Sequence, residues 1–275
     1  MKGAFVNYII LKSGSDGNCS MLDNFCLIDV GITQKELNQR HIYIPHIRIA
    51  FVSHKHSDHV NLATIHRLFK EGCQLYLPQA VINQLHERYF IPYGQATVHQ
   101  LESFSRKSIF IKDYKITPVP QQHQDLINYA FIVEQGHKRL LYATDLDTVH
   151  PSTLGDGLNH LGFFDILALE GNYDEVYIRE FIEEVLTEYA PNTAWQNWTT
   201  SQISDWTKHH YQILPKETRS QVYRALQNYR HLSKQEARKY AQKHLKPNGI
   251  YYELHRSSQF YKRPQLEENE ETTSP

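Results

Sequence analysis

The sequence predicts a layered αβ sandwich that carries a helical insertion in its C-terminal half. Three observations lead there. Short β-type runs dominate up to about residue 170, helical spacing takes over from residue 175, and polar clusters fall where the β-type runs stop. Sheets packed face to face with helices outside them need that order of elements.

Residues 5–11 read as the first strand and not as a secretory leader, because no small-residue cleavage site follows them. The turn cluster Ser13–Asn18 comes next, then strands at 20–23 and 26–29 and a helix at 34–40. Residues 48–53 (RIAFVS) are short, apolar and β-branched, the pattern of a buried strand. Helical spacing covers 61–69 and 79–88, while 74–77, 96–100, 108–111, 114–119, 130–133 and 139–143 are strands bounded by polar or glycine turns. After a last buried strand at 164–169, helices are expected at 175–189, 201–209, 217–229 and 234–244, and a late strand at 250–254. The insertion therefore spans 175–230 within a single domain of residues 1–262. Residues 263–275, with four Glu and no base from Glu267 onward, read as an acidic disordered tail.

The 275-residue chain is 40% hydrophobic and 21% charged, a globular composition, and it contains no run of about 18 apolar residues that would cross a membrane. Cys19, Cys26 and Cys73 form no CxxC pair and are too few for a disulfide framework. They suit buried positions and a reducing cytoplasm. A net charge of −1 gives no global argument for nucleic acid, yet residues 216–246 hold nine Lys/Arg against two Glu.

The chemistry concentrates in Ser53-His-Lys-His-Ser-Asp-His59, directly after the buried strand. His54 and His56 are two apart and share a side in extended backbone, and Asp58 and His59 follow as the chain turns into a helix. One cation cannot take four ligands from so short a loop, but two neighbouring cations can divide them. Imidazole with carboxylate favours Zn²⁺, with Mn²⁺ where oxygen ligands contribute.

An HxHxDH motif after a strand resembles the signature of the metallo-β-lactamase superfamily, whose αββα sandwich would be the fold. The resemblance implies three further ligands: His123 past a strand, Asp145 in LLYATD, and His231 in YRHLSK. More narrowly, SGSDGN, LIDVG, ATDL, LEGNYD and HLSKQEA resemble the YycJ/WalJ group, DNA exonucleases related to RNase Z. The implied assignment is His54, His56 and His123 for one metal, Asp58, His59 and His231 for the other, and Asp145 bridging. Asp58 gains a second, catalytic task in orienting the nucleophile. Departures from the pattern are Leu62 in place of a glycine, Glu170-Gly-Asn-Tyr-Asp174, and a long aromatic segment at 177–229 with Trp195, Trp198 and Trp206.

Other candidates read more simply. Ser13–Asn18 suits a tight turn beneath the site. Asp29, Glu170 and Asp125 could each orient a ligand histidine. His209 and His210 diverge on a helix surface, and the tryptophans fit a core better than a base-stacking face. The function these features imply is a dinuclear-metal phosphodiesterase, a nuclease cleaving DNA or RNA through a metal-bridging hydroxide. The alternative is a phosphodiesterase for small cyclic nucleotides. A homodimer and a nucleic acid or nucleotide partner accompany that reading, with no membrane.

Overall fold

The computed structural model describes residues 7–102, 106–124, 126–150, 157–210, 212–257 and 259–261. Positions 5 and 6 of the expected first strand, Asp125 and the acidic 263–275 segment lie outside them.

The first sheet contains β1 (Tyr8–Lys12), β2 (Cys19–Leu22), β3 (Cys26–Ile28), β4 (Ile49–Phe51), β5 (Gln74–Leu77) and β6 (Val98–Gln100), in that spatial order. Its first three strands pair antiparallel and β3 through β6 run parallel. Parallel pairing needs crossovers, and α1 (Gln34–Gln39), α2 (Leu62–Lys70) and α3 (Gln79–Tyr89) supply them. The second sheet takes β7 (Ile109–Ile111), β8 (Tyr114–His123), β9 (Leu126–Gln135), β10 (Lys138–Ala143), β11 (Phe164–Glu170) and β12 (Leu245–Leu254). They lie in the order β12-β11-β10-β9-β8-β7, with β10, β11 and β12 parallel.

The two sheets face each other across Phe51, Phe131, Tyr142 and Ile166, with the Phe51 and Phe131 ring centroids 5.4 Å apart. Each such side chain, fully buried, stabilises the fold by about 1.5–3 kcal/mol. On the outer face of the first sheet, Val52 and Leu75 pack under Ile65 and Leu68 of α2 and Val81 and Leu85 of α3. α2 forms because Asn61 caps the Thr64 N–H while residues 64, 65 and 68 line one apolar stripe. On the outer face of the second sheet, α7 (Lys234–His244) lays Ala237, Tyr240 and Ala241 over Leu141, Leu167 and Leu169. The layers are thus helix, sheet, sheet, helix, the fold expected.

The insertion comprises α4 (Glu175–Tyr189), α5 (Thr200–His209) and α6 (Lys216–Asn228). It holds its own core of Ile178, Ile182, Leu186, Trp206, Leu214 and Val222. Its base is pinched shut: the Asn172 N–H donates to Leu232 O (2.9 Å), the Lys234 N–H donates to Tyr173 O (2.8 Å), and the Lys234 ammonium meets Asp174 at 2.7 Å. Three strands outrun the expectation, β12 by starting five residues early at Leu245. β8 and β9 form one hairpin paired to its tip at His123 and Leu126, because polar Gln121, Gln122 and Asn128 sit on the ladder. Among the described residues no helix is long and apolar enough to cross a membrane.

Candidate metal centre

Six strands deliver polar groups to one end of the sandwich. Asp29 follows β3, the Ser53–His59 loop follows β4, and His123 ends β8. Asp145 follows β10, Glu170 ends β11 and His255 follows β12. The last three strands are adjacent and parallel, with Ala143 beside Leu169 and Glu170 beside Leu254. Asp145, Glu170 and His255 therefore leave neighbouring strand ends at one level, where parallel sheets place their sites.

The histidine loop is held by backbone before any metal is considered. Asp58 O accepts from the Asn18 N–H at 2.6 Å, and His59 O accepts from the Val30 N–H at 3.0 Å. A Cβ at position 31 would stand 1.7 Å from Asp58 O, so only glycine allows the chains to pass. The Asn18 amide donates to Gly14 O (3.0 Å) and Asp58 Oδ2 (3.1 Å), while the Gly14 N–H donates to Asn18 Oδ1 (3.0 Å). Ser13–Asn18 is a tight turn supporting the site from below, as its sequence suggests.

Three groups of ligand atoms, each within 4.8 Å of one another, overlap at Asp145. The first is His54, His56, His123 and Asp145; the second is Asp58, His59, Asp145 and His255; the third is Asp145, Glu170, His231 and His255. All seven residues singled out in the sequence converge. The partner set of one of them differs from expectation. His255, which the sequence reading missed, stands with Asp58 and His59, its Nε2 3.0 Å from Asp58 Oδ2. His231 instead turns its Nδ1 to Glu170 Oε1 at 2.7 Å. The physical reason is register: β12 ends beside β11, which carries residue 255 into the cluster, whereas His231 closes the insertion at its rim. One signal was available, since His255 is a polar residue ending an apolar strand, as Asp145 and Glu170 are.

Supporting hydrogen bonds fix which imidazole nitrogen faces inward. Asp29 Oδ2 accepts from His59 Nδ1 (2.7 Å) and from the Tyr142 hydroxyl (2.7 Å), and Asp29 Oδ1 accepts from the Ser53 N–H (2.8 Å). The Ser53 hydroxyl stands 3.0 Å from His54 Nδ1. Glu170 Oε1 stands 3.1 Å from His255 Nδ1, and Glu170 Oε2 accepts from the Leu146 N–H at 2.6 Å. With their Nδ1 atoms turned to these partners, His54, His59 and His255 aim their Nε2 atoms at the centre. Asp145 occupies a left-handed backbone conformation (φ 53°), and the Asn128 amide holds that turn through Thr144 O (2.5 Å) and Asp145 O (2.9 Å).

The donor set fits divalent ions. Asp145 Oδ2 is buried without a hydrogen-bond partner although it lies 2.6 Å from His59 Nε2, and His123 turns its Nε2 to Asp145 Oδ1 at 3.5 Å and its Nδ1 to Asp147 Oδ1 at 3.3 Å. Burial pushes the His54 and His56 pKa values down, keeping both neutral and able to ligate. Burial also opposes charge on His59, but Asp145 and Asp29 outweigh it and raise its pKa well above the ordinary value. His255 is raised to about 10 against the same burial penalty, by Asp145, Asp58 and Glu170. Asp58 and Asp145 are held far below the ordinary carboxylate range by surrounding histidines, despite burial. A dense anionic core ringed by imidazoles is a binding site for cations.

Other candidates resolve as structure. Trp206 is buried in the insertion's core with Trp195 and Trp198 packed against it. His209 Nδ1 and His210 Nδ1 each bond a carbonyl one helical turn back. The three cysteines are buried and unpaired. A cleft of 670 Å³ beside β1 and residues 40–47 holds none of the clustered ligands. A cleft of 310 Å³ opens onto His231 and His255.

A family model described as "Beta-lactamase superfamily domain" matches residues 26–218. Human tRNase Z, short form, superposes with a TM-score of 0.54 at 12% identity, covering 92% of this chain and 96% of its own. YhfI from Bacillus subtilis, a metallo-beta-lactamase fold protein, gives 0.46 at 16% identity over 61% of this chain and 71% of its own. Zn²⁺-bound PqqB from Methylobacterium extorquens gives 0.45 at 16% identity over 62% and 75%. No curated protein sequence matches.

Proposed function

This chain belongs to the beta-lactamase superfamily and is a metal-dependent hydrolase, and we propose that it cleaves phosphodiesters of nucleic acid with two divalent ions, Zn²⁺ or Mn²⁺. His54, His56, His123 and Asp145 would hold one ion, and Asp58, His59, Asp145 and His255 the other. Such a pair supplies Lewis acidity, lowering the pKa of water towards neutrality and balancing charge on the phosphoryl oxygens.

The remaining steps fall to side chains. Asp58 stays ionised, so it accepts hydrogen bonds and orients the attacking water without retaining a proton. His231 is the observation that carries the reading. It opens on the 310 Å³ cleft, and Glu170 fixes its Nδ1. Burial opposes charge on it, but Glu170 and Asp145 outweigh that and raise its pKa above the ordinary value, which favours the protonated imidazole. Water attacks phosphorus, the phosphorus–oxygen bond to the departing alcohol breaks, and His231 gives that oxygen its proton. Two cation sites with a protonated imidazole beside them suit a strongly basic leaving group such as a sugar alkoxide. The motif resemblance to the YycJ/WalJ group supports the choice of nucleic acid. Among the described residues no Phe, Tyr or Trp lines the cleft, which disfavours a pocket gripping one cyclic nucleotide by its base.

The test is purified protein with Mn²⁺ or Zn²⁺ against single-stranded DNA, duplex DNA, RNA and cyclic mononucleotides. We expect cleavage of at least one polymer, with affinity falling steeply as salt rises. Turnover of cyclic mononucleotides alone would contradict the reading.

A further inference from the structure

The cleft beside His231 has a second feature that the hydrolytic chemistry does not use. Arg224 of α6 and Arg256 of the loop after β12 both line it. They come from elements far apart in sequence, the insertion and the end of the second sheet. Neither pairs with a carboxylate among the described residues, although several cations of the same basic stretch do: Lys234 with Asp174, Arg238 with Glu253 and Lys246 with Asp165. The Arg256 guanidinium lies over the Tyr261 ring, 4.9 Å from its centroid, which restricts its rotamers. Among the described residues the other lining groups are Ser, Asn, Gln and His, with no carboxylate and no aliphatic side chain. Two unpaired guanidiniums over a polar floor match the forked geometry of phosphate.

We propose that Arg224 and Arg256 bind a second phosphate of the substrate, carried by the nucleotide next to the bond that is cut. This rests on the phosphodiesterase reading above and narrows it. His231 and His255 share the cleft with both arginines, so a substrate seated at the metal centre extends its neighbouring nucleotide towards them. A substrate must then carry a phosphate beyond the bond that is cut. Cyclic mononucleotides, with one phosphate, cannot fill both positions, and oligonucleotides can.

Three substrates test this: a dinucleoside monophosphate, and the same dinucleotide bearing a terminal phosphate at its 5′ or its 3′ end. The wild-type protein should favour one phosphorylated form by roughly 10–100-fold in kcat/KM, the effect of a charge-assisted contact. In R224A/R256A that ratio should collapse to about 1, while K239A, an exposed cation of the same basic stretch outside the cleft, keeps it. An oligothymidylate bound to metal-free protein should also lose about one to two units of salt slope in the double variant. No preference for either terminal phosphate, or a preference that survives the double substitution, would overturn the phosphate site while leaving the hydrolytic reading standing. No cleavage of any phosphodiester would overturn both.

Discussion

The loop at residues 54–59 and the pair His231/His255 supply histidines to the same centre, but they are built in opposite ways. The loop is contiguous, follows one strand and is pinned by Asn18 and Gly31, so spacing alone announces its chemistry. The later pair stands 24 positions apart in sequence, on either side of α7 and β12. Its members share Glu170 and both line the cleft, yet they differ in reach: His255 bonds Asp58, and His231 stays with Glu170 at the rim. Contiguous ligands reveal a site, whereas separated ones have to be sorted by register and by the carboxylate behind them.

Breaking what both regions share should have the largest effect. Asp145 belongs to all three ligand groups, so Asp145→Ala should release both ions and drop turnover to background, read by elemental analysis beside a rate assay. Breaking only the support of the loop should cost less. Asp29→Asn weakens the acceptor behind His59 Nδ1 and should reduce metal affinity about 10–100-fold, measured by chelator competition. Retained affinity would show that the backbone alone orients His59. Holding ions also requires His59 and His255, both raised in pKa, to release protons, so uptake should strengthen as pH rises.

The smallest effect concerns the frame around the loop and not its ligands. Thr33 and Glu36 form a capping box on α1, and Lys12 bridges Glu36 at 2.9 Å. The Thr33 N–H, then Lys12 and the Thr33 hydroxyl, hold the Glu36 carboxyl at about 2. Its folded pKa lies below the unfolded value of about 4.3. The contribution is therefore complete above that pH and lost as pH falls through about 2. Thr33→Ala should cost about 1 kcal/mol in denaturant unfolding at neutral pH, leaving metal content intact. Glu36→Gln should flatten the Tm profile between pH 4 and 2.

The fold was legible because periodicity and turn residues agreed: the strand at Gln74–Leu77 and the helices at Glu175–Tyr189 and Lys234–His244 fall where the pattern places them. The ends of β8 and β9 were hidden because the residues there serve the site. Gln121, His123 and Asn128 read as loop composition although the hairpin ladder runs through them. His231 and His255 were harder still. In a chain with 17 histidines, a lone one carries no spacing signal, and the choice between them depends on β12 lying parallel beside β11. Arg224 and Arg256 were unreadable for the same reason, since neither marks the cleft until the insertion folds back over the strand ends.

Metal content and turnover of His255→Ala and His231→Ala, measured side by side, test the division of labour most directly. The account predicts that His255→Ala loses one of two ions, while His231→Ala keeps both and loses about 10²–10⁴ in kcat. An ion lost from His231→Ala with full occupancy in His255→Ala would contradict it.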